Sequence, residues 1–145
     1  MRPLALAAVL ALGILAGCGG EEGPRIVIVT PEGERTVAVE IADSEGERAR
    51  GLMGRESLDA DAGMVFVFPA ETSGAFWMKN TLIPLSIAFY DENGRILRIL
   101  DMEPCRRDPC PLYDPGVSYR GALEVNRGAF REWGVGEGDT LTLER

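Results

Sequence analysis

From Arg25 onward the sequence is a succession of short apolar runs, each cut off by glycine, proline or a polar turn. Ile26-Val27-Ile28-Val29 is one such run, and Thr36 to Ile41 is another, with Val37, Val39 and Ile41 at alternate positions. Residues two apart in a strand share a face, so this pattern predicts strands and not helices. Met64 to Phe68, ended by Pro69, Ala75 to Lys79 and Leu85 to Tyr90 predict further strands. Asp91-Glu92-Asn93-Gly94 predicts a type I′ hairpin, because Asn-Gly tolerates the positive φ angles of that turn. Arg95 to Leu100 is its returning strand, and Ala122 to Val125 and Thr140 to Leu143 complete the set. Two segments read as helical. Ser44 and Glu47 have capping-box spacing at the head of a helix over 44–53, with Ala49, Leu52 and Met53 on one face. Ala129, Phe130 and Trp133 suit one short turn stopped by Gly134. The fold class is therefore mainly β, a sandwich or barrel with one or two short helices.

The first 24 residues belong to a different kind of segment. Arg2 precedes an apolar stretch from Leu4 to Leu15, shorter than the roughly 20 residues needed to span a bilayer as a helix. Leu15-Ala16-Gly17-Cys18 then resembles a bacterial lipobox, which makes 1–17 a lipoprotein signal peptide and Cys18 the lipidated residue. Two or more acyl chains on that cysteine hold a protein stably at a membrane. Residues 18–24 form a short Gly- and Glu-rich tether, and 25–145 one β domain. Glycine at position 19, where aspartate would signal inner-membrane retention, points to the outer membrane facing the periplasm in a two-membrane organism. Loss of the leader removes Arg2, so 14 of the 15 basic residues remain against 23 acidic ones. That charge and the lack of a basic stripe argue against nucleic acid as a partner.

With Cys18 committed to lipid, Cys105 and Cys110 remain, an even number in an oxidising compartment. Prolines 104, 109 and 111 crowd the loop, and no helix pattern follows it. These features favour a structural disulfide over a redox-active pair, which normally has closer cysteines at a helix start.

Several segments then form a recognisable series. Glu47 to Arg55 (ERARGLMGR) is followed by Gly63 to Phe68 (GMVFVF) and by Phe76 to Leu85 (FWMKNTLIPL). Met102-Glu103-Pro104-Cys105, Cys110-Pro111-Leu112-Tyr113, Leu123-Glu124-Val125-Asn126 and Gly138-Asp139 complete it. In this order they resemble the bacterial and archaeal family called domain of unknown function 192, from about Thr36 to the C-terminus. The resemblance implies a compact, mostly β fold of jelly-roll type and supplies no reaction. Ser86 stands where it leads one to expect aspartate.

Chemistry must come from the residues, and the chain has no histidine. That removes Ser-His-Asp and Cys-His catalysis in their usual forms and the His-containing zinc sites. Gly134-x-Gly136-x-Gly138 follows a helical segment and carries Glu137 and Asp139, so it reads as a turn and not as a phosphate loop. Three candidate sites remain. Asp101 and Glu103, two apart, are the catalytic candidates for a hydrolase of cell-wall carbohydrate. Met78, Met102, Cys105 and Cys110 offer sulfur for Cu(I). Trp77, Lys79 and Asn80, with Arg50 and Arg55 near the first helix, offer an aromatic face with orienting polar groups for a small, carbohydrate-like envelope ligand. The expected function is a non-enzymatic binding module for such a ligand or for a protein partner, without a cofactor. A carboxylate hydrolase and a copper-handling protein are the alternatives.

Overall fold

The computed structural model describes residues 22–145, so the lipobox with Cys18 and most of the tether lie outside the described residues. Nine strands, β1 (Arg25–Thr30), β2 (Gly33–Ala42), β3 (Ala62–Thr72), β4 (Phe76–Trp77), β5 (Leu85–Tyr90), β6 (Ile96–Met102), β7 (Leu112–Tyr113), β8 (Tyr119–Asn126) and β9 (Thr140–Glu144), are accompanied by two short helices, α1 (Glu45–Arg50) and α2 (Ala129–Glu132). Seven strands make one curled sheet in the order β6-β5-β8-β3-β2-β1-β9, while β4 and β7 form a separate two-stranded ribbon. All pairs in the large sheet are antiparallel except β2 with β3. The sandwich-or-barrel expectation thus takes the form of a mostly β half-barrel with two short helices.

The two outer strands meet at one end only. Arg95 bridges to Thr140, and Leu141 N–H donates to the Gly94 carbonyl at 2.8 Å. Ile96 N–H donates to the Asp139 carbonyl, and Gly138 N–H to the Ile96 carbonyl, both at 2.8 Å. Gly94 has φ +78°, and a Cβ there would lie 2.0 Å from the Leu141 carbonyl oxygen. Closure therefore needs a residue without a side chain at this point. The turn before it is not the expected type I′ hairpin, since Asn80 is the only described non-glycine residue with positive φ. The Asp91 carboxylate accepts from the backbone N–H of Asn93 (2.9 Å) and of Arg95 (3.0 Å). These bonds hold Asn93 at negative φ and leave the left-handed position to Gly94.

Two apolar layers follow from strand alternation. Inside the curl lie Ile26, Ile28, Val37, Val39, Val65, Leu123, Val125 and Leu141, with Phe130 and Val135 from α2 and its exit. On the opposite face lie Met64, Phe66, Leu85, Ile87, Phe89 and Met102, joined by Leu52 and Met78. The β4–β7 ribbon and α1 cover that second face. Every residue of β5 is consequently buried.

Three boundaries differ from the sequence reading. The capping box forms as expected, with Glu47 N–H donating to Ser44 Oγ (3.2 Å) and Ser44 N–H to the Glu47 carboxylate (3.0 Å). The helix nevertheless stops at Arg50, because Gly51 turns the chain at φ +49° against the Phe66 ring. Ala49 stays exposed, and Leu52 reaches the core from beyond the helix. Pro69 does not end β3, which continues to Thr72. The pairing with β8 shifts between Val67 and Thr72, leaving Pro69 where no ladder hydrogen bond is required of it. The expected strand over Ala75 to Lys79 shrinks to the two residues of β4, because Leu112-Tyr113 is its only partner.

Candidate functional site

Between α1, the far end of β3, β4 and β8 lies a cavity of about 330 Å³. Phe66 and Phe68 from β3, Phe76 from β4 and Tyr119 from β8 give it aromatic walls. These rings brace each other edge to face, with Phe66 and Phe76 centroids 5.2 Å apart and Phe68 and Tyr119 centroids 5.7 Å apart. Such contacts add roughly 0.5–1.5 kcal/mol each beyond burial and keep the walls stiff.

Glu124 lies at the bottom. It occupies the middle of β8, in register with Met64 on one side and Ile87 on the other. Strand alternation sends it away from Leu123 and Val125 and towards the covered second face. Its side chain is 5% exposed and borders the cavity. Among the described residues no hydrogen bond perturbs its carboxyl, and its oxygens open on the cavity, since the sealed and unpartnered side-chain polar atom among the described residues is Arg35 Nε. Burial alone pushes its pKa up from 4.5 to about 8, because a charged carboxylate there loses hydration and gains no counter-ion. Glu124 is therefore largely a neutral acid at pH 7.

The mouth is of the opposite character. Trp77 is 49% exposed and borders the cavity. Its strand partner Leu112, 70% exposed, extends the apolar rim. Arg48 is engaged: its guanidinium donates to the Asp43 carbonyl and, at 2.9 Å, to the Val67 carbonyl, and lies 5.2 Å from the Phe68 ring centre. Arg50 borders the cavity on α1, and among the described residues no carboxylate pairs with it.

The residues singled out from sequence fall in three places. Trp77 and Arg50 share this cavity. Lys79 lies beside it, its ammonium 5.5 Å from the Trp77 ring centre and 3.4 Å from Asp108. Arg55 and Asn80 do not line it: Arg55 pairs with Glu40 at 2.5 Å, and the Asn80 backbone carbonyl accepts from Gly54 N–H at 2.9 Å.

The carboxylates Asp101 and Glu103 are held by separate partners. Asp101 accepts from Ser86 Oγ at 2.5 Å and pairs with Arg131 at 3.4 Å, opening on a second cleft of about 220 Å³ that Glu103 does not line. Glu103 pairs with Arg127. Ser86 also accepts from Gly128 N–H at 2.9 Å, so the Ser86–Asp101 pair brings a carboxylate to this corner one side chain further out.

Cys105 and Cys110 are joined by a disulfide. Closing so short a loop stabilises by roughly 2 kcal/mol on the chain-entropy account. Neither cysteine is a thiolate in this state. Met78 and Met102 are buried in the apolar layer, where a thioether fills space. The four sulfurs thus form no open soft-metal site in the oxidised protein.

The family model that matches is DUF192, described as uncharacterized ACR, over residues 27–143. The chain belongs to the DUF192 family. No curated protein matches its sequence. Two solved structures have a similar fold. One, from Sinorhizobium meliloti 1021, is described as a candidate transcription regulator. It is 31% identical, with a TM-score of 0.77, over 85% of this chain and 97% of that one. The other, a protein of unknown function from Novosphingobium aromaticivorans DSM 12444, is 28% identical, with a TM-score of 0.75, over 81% of this chain and 83% of that one. Within this DUF192 chain, Glu124 is the functional candidate that strand alternation by itself did not single out. A lone acid in Ala122-Leu123-Glu124-Val125 reads as the solvent face until the second layer is known to cover it.

Proposed function

We propose that this protein is a lipid-anchored extracytoplasmic module that binds a small ligand in the cavity beneath Trp77, without chemistry of its own. One observation carries the reading: a cavity with aromatic walls ends on Glu124, a buried residue whose carboxyl opens on it without a hydrogen bond from the described residues. Burying such a group costs about 1–3 kcal/mol unless something hydrogen-bonds to it. A ligand would supply the missing partner. Trp77 at the mouth offers a face on which a flat or ring-shaped ligand can stack.

A hydrolase reading is less well supported. Glycoside hydrolysis uses two carboxyls across one bond, and among the described residues Glu124 is the only carboxyl lining this cavity. The name attached to the Sinorhizobium relative does not favour DNA binding here, because the formal charge of −8 opposes a phosphate backbone. Among the described residues no helix is long and apolar enough to cross a membrane; the attachment proposed is through Cys18.

Two measurements on the full-length protein test this. Cys18→Ala is expected to abolish palmitate labelling and release the protein from the membrane fraction. Retention of the variant there would overturn the anchor. In calorimetric titrations with pocket-sized organic fragments, Trp77→Ala is expected to weaken binding about tenfold or more, with unfolding stability unchanged within about 0.5 kcal/mol. A complete lack of saturable binding by the native protein would end the ligand reading.

A further inference from the structure

The cavity's polarity is arranged in one direction. At depth, the side chains are Phe66, Phe76, Tyr119 and Leu52 around a single acidic group, Glu124. Thr81 is the other buried polar residue there, and its hydroxyl is already turned to the Lys79 carbonyl at 3.3 Å. A sugar carries a hydroxyl on nearly every carbon, and those taken among these rings would compete for Glu124 and for the Tyr119 hydroxyl, which already donates to the Gly74 carbonyl at 3.1 Å. The site suits a ligand with one polar head on an apolar body.

The sign of that head follows from what faces Glu124. β3 presents Met64 and Phe66 and β5 presents Ile87, none of them charged. β4 contributes Phe76 and Trp77, and β8 itself contributes Tyr119. Only α1 brings cations, Arg48 and Arg50. Arg48 is tied to backbone carbonyls, and neither guanidinium offsets the cost of burying the Glu124 charge. The acid is thus a negative charge held in reserve, ringed by electron-rich aromatic groups that attract cations.

On the reading of this cavity as a ligand site, we propose that its ligand is a small organic cation, an ammonium head on an apolar body, seated with the head against Glu124 among Phe66, Phe76 and Tyr119. Binding converts Glu124 from neutral acid to carboxylate, and its proton passes to the solvent. The ammonium supplies the counter-ion that the folded protein lacks, and the rings replace part of its hydration shell. A group of opposite charge on the ligand's outer end would meet Arg50 at the mouth.

The test compares choline with 3,3-dimethylbutan-1-ol, which replaces the charged nitrogen by carbon in nearly the same shape. Both are titrated calorimetrically into the full-length protein at pH 7, in two buffers of different ionisation enthalpy. Choline is expected to bind about tenfold or more tightly than the alcohol, with release of about one proton per cation bound. Its affinity should rise as the pH approaches about 8, the Glu124 value, and then level off. Glu124→Gln should abolish the proton release and reduce the preference to what the rings alone supply. The native protein's own pH profile gives the same answer if that variant folds poorly. Equal binding of the alcohol, or choline binding without proton release, would overturn the cation while leaving the cavity a ligand site. Binding of neither would overturn both.

Discussion

Folding stability is expected to fall by several kcal/mol as the pH is raised from about 5 to about 9, the reverse of ordinary acid denaturation. Glu124 is responsible. Burial raises its folded-state pKa from 4.5 to about 8, so between those values the native state holds a proton that the unfolded chain has released. Stability therefore falls with rising pH across this window and levels off above it. At about 1.36 kcal/mol per pKa unit, the full loss is roughly 5 kcal/mol. That is a large share of the 5–15 kcal/mol typical of a folded protein. The window is unusually clean, because the chain has no histidine. Glu40, hydrogen-bonded to Arg55, and Glu47, hydrogen-bonded to the Ser44 backbone, have lowered pKa values. Their contributions are present above about 4.5 and fade only as the pH falls below it. Burial raises the pKa of Tyr90 to about 12, outside the range. Urea denaturation of the native protein and Glu124→Gln at matched pH values checks the expectation. The variant should be nearly flat, less stable than the native protein at pH 5 by about 1–3 kcal/mol for its unmet amide, and more stable at pH 9. A flat native profile would mean that Glu124 is hydrated or partnered in the folded state.

Gly94→Ala is expected to cost about 3 kcal/mol or more and to open the closed end of the sheet. The added carbon would sit 2.0 Å from the Leu141 carbonyl oxygen. Backbone on both sides of this contact belongs to the bonds joining the outer strands, so neither side can retreat without breaking them. Gly116→Ala serves as the control: φ is similarly positive at +69°, and nothing lies within 4 Å of the new carbon. It carries only the left-handed backbone cost of about 1–2 kcal/mol. Hydrogen exchange should show the amides of Ile96 and Leu141 losing protection in Gly94→Ala alone. Equal destabilisation by the two variants would show that the end contact is dispensable.

Most strands were legible because their alternation is the physical record of which face is buried. Val37, Val39 and Ile41 face one core, as their spacing indicates. The site was less legible, because it depends on a second covering layer. β4 and β7 have only two residues each, too few for a period to register. Without that layer, Glu124 looks like an ordinary solvent-facing acid. The signal that could have found it lies in the neighbouring strand. Leu85-Ser86-Ile87-Ala88-Phe89-Tyr90 is almost continuously apolar, the mark of a strand covered on both faces. An acid on the adjacent strand must then be buried too. Trp77 and Arg50 were recognisable as an aromatic and a charged residue of the motif series. Nothing in the spacing separated them from Arg55, whose direction is fixed by Glu40 on β2.

The pairing of β1 with β9 has a consequence for how the protein is made. Arg25 lies opposite Glu144, and its guanidinium donates to that carboxylate at 2.7 Å across 119 residues of sequence. One edge of the first strand has no partner until the last strand has been synthesised and delivered. Local hairpins can form early, but the curled sheet is completed only by its most distant contact, the pairing of its first strand with its last. For a protein passed through a membrane as an extended thread, as the proposed export requires, this delay is useful. On that proposal the fold would be completed after translocation, on the side where Cys105 and Cys110 can be oxidised.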